Sequence, residues 1–335
     1  MIPSNEEQIP FGISGRVLLN FISHPFEYAK VLIQIGHEPI LPRPTTTFFR
    51  QPALALPNVF QYVKHIKSID GIPGCYRGVI PKMCAFTVSS IAFDKTSNCV
   101  KKVIDKMEEE SKDSTRDQSE EDQKCKIFIY DLIRDLISRM VAIIVSHPLD
   151  VIAVRMMAQF VGKETQYNGL FRSVVEVYKE NGITGYYAGV VPRLIGNAAA
   201  IILFSTSSYV IDKYILNDEE SKPYVDTVIR VSELITRMLY VQGNKIIHHC
   251  LLHILSQFIT TTVTYPFLVV SHCMAVNDCG LAAGLPPHMP IYNDWKDCWS
   301  QLSATNQLRR GNTLLWRYYS GQQIIINGKP THLLH

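Results

Sequence analysis

One pattern of residues occurs three times in this chain. Ser23-His24-Pro25-Phe26-Glu27 is matched by Ser146-His147-Pro148-Leu149-Asp150, and a weaker third copy begins at Thr264-Tyr265-Pro266-Phe267. The three prolines are 123 and 118 positions apart. Self-similarity at such a period indicates three tandem structural units, and it constrains the fold more than composition does.

A second pattern follows each copy of the first. Asp70-Gly71 leads to Tyr76-Arg77-Gly78, Asn181-Gly182 leads to Tyr187-Ala188-Gly189, and Arg310-Gly311 precedes Trp316-Arg317 in the third unit. A proline inside an apolar helix removes a backbone donor and kinks the helix. In each unit the sequence therefore predicts a kinked helix and, after it, a glycine-bounded turn.

The first predicted helix has two chemically different faces. Polar residues recur every three or four positions at Arg16, Asn20, His24, Glu27 and Lys30, and apolar residues fill the positions between them. Such a stripe on an apolar helix is expected to face an interior polar cavity rather than lipid. A soluble amphipathic bundle is the alternative, and the ordinary composition, 47% hydrophobic and 19% charged, permits it. The repeats favour the membrane interpretation.

The remaining spans follow the same patterns. Long helices are predicted over Pro81–Val103, Phe128–Gln159, Val190–Leu216 and Ile246–Val276, and surface helices over Leu56–Ile69, Leu170–Asn181 and Tyr292–Leu302. Residues 105–124 are rich in Glu, Asp, Lys, Ser and Gln without apolar periodicity, which predicts a flexible charged loop. Val225–Tyr240 is read either as an interfacial or packing helix or as an extension of the next span.

On these motifs the chain resembles the mitochondrial carrier family. The resemblance implies an all-α membrane protein built as a three-fold repeat of helix pairs around a central site. The predicted division is repeat 1 at 1–104, the charged loop at 105–124, repeat 2 at 125–217, an insertion at 218–245 and a degenerate repeat 3 at 246–335. Carriers have six membrane helices, but the apolar piece after Tyr318 is too short to cross a core of ~30 Å. We therefore expect the sixth membrane helix to be missing, leaving a polar groove open sideways to lipid.

The resemblance also implies a gate, in which the acid after each proline pairs with a base of the next repeat. Here Glu27 would meet Ala153, Asp150 would meet Ser271, and Leu268 would meet Lys30. The prediction is that no complete bridge of this kind forms. The opposite pairing sense would restore one contact, between Asp150 and Lys30, and stays open as an alternative.

Four stretches are similar to the outer-membrane homologue branch of the family. They are Lys30-Val31-Leu32-Ile33-Gln34, Ser68-Ile69-Asp70-Gly71, Ala188-Gly189-Val190-Val191-Pro192-Arg193-Leu194 and Met274-Ala275-Val276-Asn277-Asp278-Cys279-Gly280-Leu281. This branch implies a multi-pass protein of the mitochondrial outer membrane that inserts tail-anchored and other α-helical proteins. Lipid scrambling and an apoptosis-linked receptor role are the alternatives, and a degenerate small-molecule carrier is a third.

The expected partners are membrane lipids and tail-anchored clients, together with apoptotic regulators in the receptor alternative. By position and resemblance, the groove-lining candidates are Arg16, Asn20, His24, Glu27, Lys30, Asp150, Arg193, Asn197, Tyr265 and His272. At the position of Asn197 a well-known member of the family carries an acid, so a charge is absent in this chain. None of these residues is expected to make or break covalent bonds.

Other chemistries find little support in the sequence. His249 and His253 have metal-ligand spacing but lack a completing carboxylate or cysteine partner, so a structural role is favoured over a metal site. The eight cysteines show no Cys-x-x-Cys spacing. No nucleotide-binding loop or catalytic triad motif occurs, and the dispersed basic residues give no case for nucleic acid. We expect no enzymatic activity, no cofactor and no bound metal.

Overall fold

The computed structural model describes residues 13–46, 50, 52–111, 120–215, 243–319, 323–326 and 329–332. Within these residues the chain is mostly helical. The described α-helices are α1 (Ile13–Gln34), α2 (Val59–Gly74), α3 (Val79–Ser111), α4 (Glu120–Ala158), α5 (Leu170–Asn181), α6 (Val190–Ile215), α7 (Gly243–Val276) and α8 (Trp295–Ala304). Two short 3-10 helices are η1 (Ile183–Tyr187) and η2 (Ala282–Gly284).

The three repeated prolines lie inside long helices, as predicted. Pro25 is in α1, Pro148 is in α4 and Pro266 is in α7. The repeated turns are also formed, because Gly78, Gly189 and Gly311 adopt φ angles of 80°, 77° and 77°. A positive φ is a conformation that glycine adopts without strain.

Within the described residues, three helical segments are long and apolar enough to cross a membrane. They are Cys125–Ala158, Ile183–Ile211 and Leu251–Val276. The prediction named five spans, and the two others correspond to α1 and α3, which form as helices without meeting that hydropathy criterion. Both carry several charged side chains, so their average hydropathy is low even where one face is apolar.

All three predicted surface helices are present, and two of them have shifted ends. α5 matches its predicted range, whereas α2 and α8 each begin three residues later and end later than expected. Asn58 caps α2 by accepting a hydrogen bond from the Gln61 backbone N–H at 2.9 Å. Asp294 caps α8 by accepting from the Asp297 backbone N–H at 2.8 Å. These side chains satisfy otherwise unpaired helix donors and so fix where the helices start.

The charged segment 105–124 is not a loop over its whole length. α3 continues to Ser111 and α4 begins at Glu120, so both ends of the segment are helical, and residues 112–119 lie outside the described part. The prediction was wrong for these ends because Glu and Lys are good helix formers even without an apolar face. The predicted helix at 225–240 also lies outside the described residues.

The all-α prediction missed a small antiparallel sheet of order β1-β2-β3. Its strands are β1 (Arg43–Thr46), β2 (Pro52–Leu56) and β3 (Arg317–Tyr318). Ala55 pairs with Tyr318 and Leu56 with Arg317, so the sheet joins repeat 3 to repeat 1. Two further strands, β4 (Gln323–Ile326) and β5 (Lys329–His332), pair with each other. After Gly311 the described residues therefore continue as turns and strands.

Arg317 anchors this connection. Its guanidinium forms an ion pair with Glu38 and donates a hydrogen bond to the Pro57 carbonyl at 2.9 Å. The Val59 backbone N–H also donates to the Leu314 carbonyl at 2.9 Å. Burial raises the pKa of Glu38, and the Arg317 cation opposes that rise. The contact pairs opposite charges, which is what makes burial of the arginine tolerable.

The chain divides into two compact units. One, here called the smaller unit, comprises 1–16, 93–141 and 197–264. The other, the proline-end unit, comprises 17–92, 142–196 and 265–335 and holds nearly all of the buried apolar core. Within the smaller unit, Phe128 stacks on Tyr209 at a centroid distance of 4.5 Å, and the Arg139 guanidinium lies 5.0 Å from the Phe93 ring centroid.

Candidate functional site

The residue before each helix proline makes the same hydrogen bond in all three repeats. The His24 Nε2–H donates to the Arg77 carbonyl at 3.1 Å, and the His147 Nε2–H donates to the Ala188 carbonyl at 3.0 Å. In the third repeat the Tyr265 hydroxyl donates to the Arg310 carbonyl at 3.2 Å. Each acceptor immediately precedes a turn glycine. The residue before each proline thus holds the turn of its repeat against the kinked helix of the same repeat.

The turn glycines press against the kinked helix of the following repeat. A Cβ on Gly78 would lie 2.9 Å from the Ala153 carbonyl oxygen, and one on Gly189 would lie 2.3 Å from the Ser271 carbonyl oxygen. A Cβ on Gly311 would lie 3.1 Å from a side-chain carbon of Ile33, which closes the cycle on the first repeat. The three repeats therefore pack in a ring in the proline-end unit.

The C-terminal ends of the kinked helices also contact each other. The fully buried Arg155 donates from Nε to the Ala275 carbonyl at 2.9 Å. The Cys273 thiol lies 3.6 Å from the Gln34 carbonyl oxygen. These contacts join α4 to α7 and α7 to α1, so the three helix ends form a packed layer.

A cavity of about 150 Å³ lies among these helices. Its lining residues are Glu27, Lys30, Val31, Gln34, Lys82, His147, Asp150, Val151, Val154, Arg193, Leu268, Ser271, His272 and Ala275. All of them belong to the proline-end unit. Because ~10–15 Å³ of such space is enough for one water molecule, the cavity has room for a small polar group together with water.

Two carboxylates in the cavity are held by cations from α3 and α6. The Lys82 ammonium lies 2.9 Å from Glu27 and 3.4 Å from Asp150. Arg193 forms a second ion pair with Asp150, with Nη2 to Oδ2 at 2.7 Å. Asp150 is buried, and the others are partly exposed. Lys82 therefore bridges repeats 1 and 2, and Arg193 adds a pair inside repeat 2.

His147 is neutral in this arrangement. Its Nε2 carries the proton donated to Ala188, and its Nδ1 lies 3.3 Å from the Arg193 Nη1. Since a guanidinium can only donate, Nδ1 must be the acceptor and has no proton of its own. The ring therefore adds no charge to the cavity.

Lys30 is the cavity cation for which the described residues provide no carboxylate within 4.0 Å. Its ammonium lies over the Tyr265 ring, 5.4 Å from the centroid. A cation over an aromatic face is stabilised by ~0.5–2 kcal/mol, which is less than burial of a charge usually costs. Lys30 therefore stands as an incompletely compensated positive charge.

A chain of hydrogen bonds fixes the wall beside Lys30. The His272 Nδ1–H donates to Gln34 Oε1 at 2.7 Å, and the Gln34 amide donates to the Tyr265 hydroxyl at 2.9 Å. The Tyr265 hydroxyl then donates to Arg310. Every donor in this chain has an acceptor, so the wall is held in one arrangement.

The structure brings five of the ten predicted groove residues to the cavity. Glu27, Lys30, Asp150, Arg193 and His272 line it, and Tyr265 lies behind Lys30. His24 is fully buried and bonded to the first turn instead. Asn20 is partly exposed on α1, and Asn197 is partly exposed on α6 in the smaller unit. Arg16 lies in α1, with its side chain outside the described part.

Among the described residues, no ion pair joins the acid after one proline to the base of another kinked helix, so the gate-type bridges are missing as predicted and the alternative contact between Asp150 and Lys30 is not formed. Glu27 and Asp150 are nevertheless both in ion pairs, and they share Lys82 as a partner. The sequence contained a signal for this residue, because Gly78-x-x-Pro81-Lys82 has the spacing of Gly189-x-x-Pro192-Arg193. The prediction compared only the three kinked helices, so it missed the pairing of these carboxylates with Lys82 on α3 and Arg193 on α6.

The described residues contain no cluster of three or more His, Cys, Asp or Glu side chains suited to a metal ion. His253 accordingly has other contacts: its Nδ1 lies 3.4 Å from the Ser208 hydroxyl, and its ring packs against Phe204.

The chain is similar in sequence to several known proteins. The family model for the mitochondrial carrier protein matches residues 127–218. Mitochondrial carrier homolog 2 of Homo sapiens is 35% identical over 299 residues, covering 89% of this chain and 90% of that protein. Mitochondrial carrier homolog 1 of Mus musculus is 34% identical over 304 residues, covering 89% and 74%. A chloroplastic nicotinamide adenine dinucleotide transporter of Arabidopsis thaliana is 23% identical over about half of each chain.

The repeated turns, the kinked helices, the apolar spans and these identities lead to one assignment. The chain is a membrane protein of the mitochondrial carrier family and belongs with its carrier homologs.

Proposed function

We propose that this protein is an insertase of the mitochondrial outer membrane that moves tail-anchored and other α-helical proteins into the bilayer. The supporting observation is a charged cavity between apolar helices, with Lys30 incompletely compensated inside it. A client helix enters lipid easily, but the polar tail beyond it must cross hydrocarbon. Polar groups inside the membrane lower the free energy of that crossing.

The proposal includes a groove open to lipid beside the third repeat. In a six-helix carrier a second helix follows the turn of every repeat, whereas the described residues after Gly311 form turns and strands. We propose that the place of this sixth helix is open to lipid and lets a client helix leave sideways. The proposed partners are membrane lipids and tail-anchored clients, with apoptotic regulators as partners in a receptor role.

Lipid scrambling is the second candidate. The cavity contains three cations and two carboxylates, and this excess of positive charge suits a phosphate headgroup. A groove that lets a polar tail cross would also lower the barrier for a headgroup. Insertion and scrambling are therefore compatible activities of one site.

Metabolite exchange is the least favoured candidate. It draws support from the transporter relative, but the third repeat has Leu268 and Ser271 where a carrier-type gate needs an acid and a base. Without that ring of ion pairs, alternating closure of the two sides lacks its usual stabilisation.

The test is reconstitution into liposomes with and without the purified protein. We expect insertion of a tail-anchored client, measured by protease protection of its tail, to rise when the protein is present. A fluorescent lipid assay and metabolite uptake run in parallel. Lipid flip-flop without insertion would replace the proposal with the scramblase, and saturable metabolite exchange without insertion would replace it with a carrier.

Lys30→Glu should change the insertion rate according to the charge of the client tail. The variant exchanges the uncompensated ammonium for a carboxylate, so a tail with two lysines should insert faster, by roughly tenfold, relative to the wild type. Lys296→Glu, an exposed charge reversal on α8, is the matched control and should leave the rate unchanged. Identical rates for wild type and Lys30→Glu with every client would exclude Lys30 from the path.

A further inference from the structure

In repeats 1 and 2, the acid after the proline forms an ion pair with a cation after the turn glycine of the same repeat. Repeat 1 has Glu27 two residues after its proline and Lys82 four residues after its turn glycine, and the two side chains are 2.9 Å apart. Repeat 2 has Asp150 and Arg193 at the same two positions, 2.7 Å apart. In repeat 3 both positions are leucine, Leu268 and Leu315. Acid and cation are thus kept together or lost together within this chain.

Lys82 differs from Arg193 in what else it contacts. Its ammonium also lies 3.4 Å from Asp150, so one cation compensates the carboxylates of two repeats. With Arg193 on the other side of Asp150, each of the two carboxylates has a cation partner. The cavity lining then holds two carboxylates against Lys30, Lys82 and Arg193, which leaves one positive charge in excess, and Lys82 is the cation among them that contacts both carboxylates.

We infer that Lys82 is a specificity-determining residue of this cavity, beside Lys30, and that through it the cavity selects client tails carrying carboxylates over tails carrying lysine or arginine. The inference rests on the proposed function and names its substrate class. A cavity of about 150 Å³ has room for a carboxylate and some water. In a site of low dielectric constant, one uncompensated charge attracts a carboxylate and repels an ammonium group.

The experiment compares two clients that differ only in two tail residues, both Glu or both Lys. They are inserted into liposomes of phosphatidylcholine alone, so that no anionic lipid competes for the cavity. The wild type should insert the acidic client faster than the basic one by roughly tenfold. Lys82→Gln should bring this ratio near one, Lys82→Glu should invert it, and Lys82→Arg should retain it.

A compensated double variant separates charge from structural damage. Lys82→Gln combined with Glu27→Gln again leaves one positive charge in excess, because Asp150 keeps Arg193. The acidic preference should return in this variant. Lys296→Gln is the control for loss of an exposed lysine and should keep the wild-type ratio. A ratio that stays the same in the wild type, Lys82→Glu and the double variant would overturn the inference.

Binding provides a readout that does not depend on insertion. Soluble peptides with acidic or basic tails are titrated against the protein in phosphatidylcholine nanodiscs. If no client inserts but peptide preference follows Lys82 as described, the inference stands and the insertase proposal fails. If clients insert but neither insertion nor binding depends on Lys82, the inference fails and the insertase proposal stands.

Discussion

Gly189→Ala is expected to prevent stable folding of the proline-end unit. A Cβ at this position would lie 2.3 Å from the carbonyl oxygen of Ser271 and 3.2 Å from the Cα of Ser271. Both are backbone atoms, so no change of rotamer can move them away. The residue also has a φ of 77°, where alanine is strained. Strain and overpacking together should lower the free energy of unfolding by more than about 3 kcal/mol. Thermal unfolding in detergent measures the loss.

Gly169→Ala is the matched control for this prediction. Gly169 has a φ of 90°, but no atom lies within 4 Å of the position its Cβ would take. Its substitution should cost only the backbone strain, about 1–3 kcal/mol. Equal losses in the two variants would show that the close approach of the turn to α7 contributes nothing, and the ring packing of the repeats would lose its main support.

Asp150→Asn is expected to destabilise the protein almost as strongly. The carboxylate is buried between Lys82 and Arg193, and the substitution removes its charge from both ion pairs. Breaking a buried ion pair from one side costs about 3–5 kcal/mol. The exposed Asp131, paired with Arg134 one helical turn away, is the control, and Asp131→Asn should cost less than about 1 kcal/mol.

A double variant shows whether the loss comes from the broken ion pair. Asp150→Asn combined with Arg193→Met removes both charges of this pair and should recover part of the stability, because neither charge of the pair then remains without the other. Losses that simply add would mean that Asp150 and Arg193 are not energetically coupled, contrary to their 2.7 Å contact.

The helices were predictable because their signals are local. Pro25, Pro148 and Pro266 repeat with the same neighbours, and Gly78 and Gly189 end equivalent turns. A repeat of this kind gives the order of helices and turns without knowledge of any long-range contact. The polar stripe on α1 also placed Glu27 and Lys30 on one face, and both line the cavity.

The sheet and the ion pairs were not predictable in the same way. β3 is only two residues long, so it has no alternation to detect, and its pairing with β2 joins positions some 260 residues apart. The Lys82 contacts depend on how α3 is rotated against α1 and α4, which periodicity within one helix does not determine. His24 shares the stripe of Glu27, yet its buried ring donates to the Arg77 carbonyl, because a buried polar side chain needs a hydrogen-bond partner.

The most direct test of the account is photo-crosslinking at Leu268 during insertion. Leu268 lines the cavity without a polar side chain, so a photoreactive residue there leaves the ion pairs in place. A client whose C-terminus is fused to a folded domain stalls with its tail in transit. We expect its tail to crosslink at position 268 far more than at position 254, where Ile254 is exposed on the same helix. Crosslinks at position 254 alone, with insertion at the normal rate, would show that clients do not pass the charged cavity.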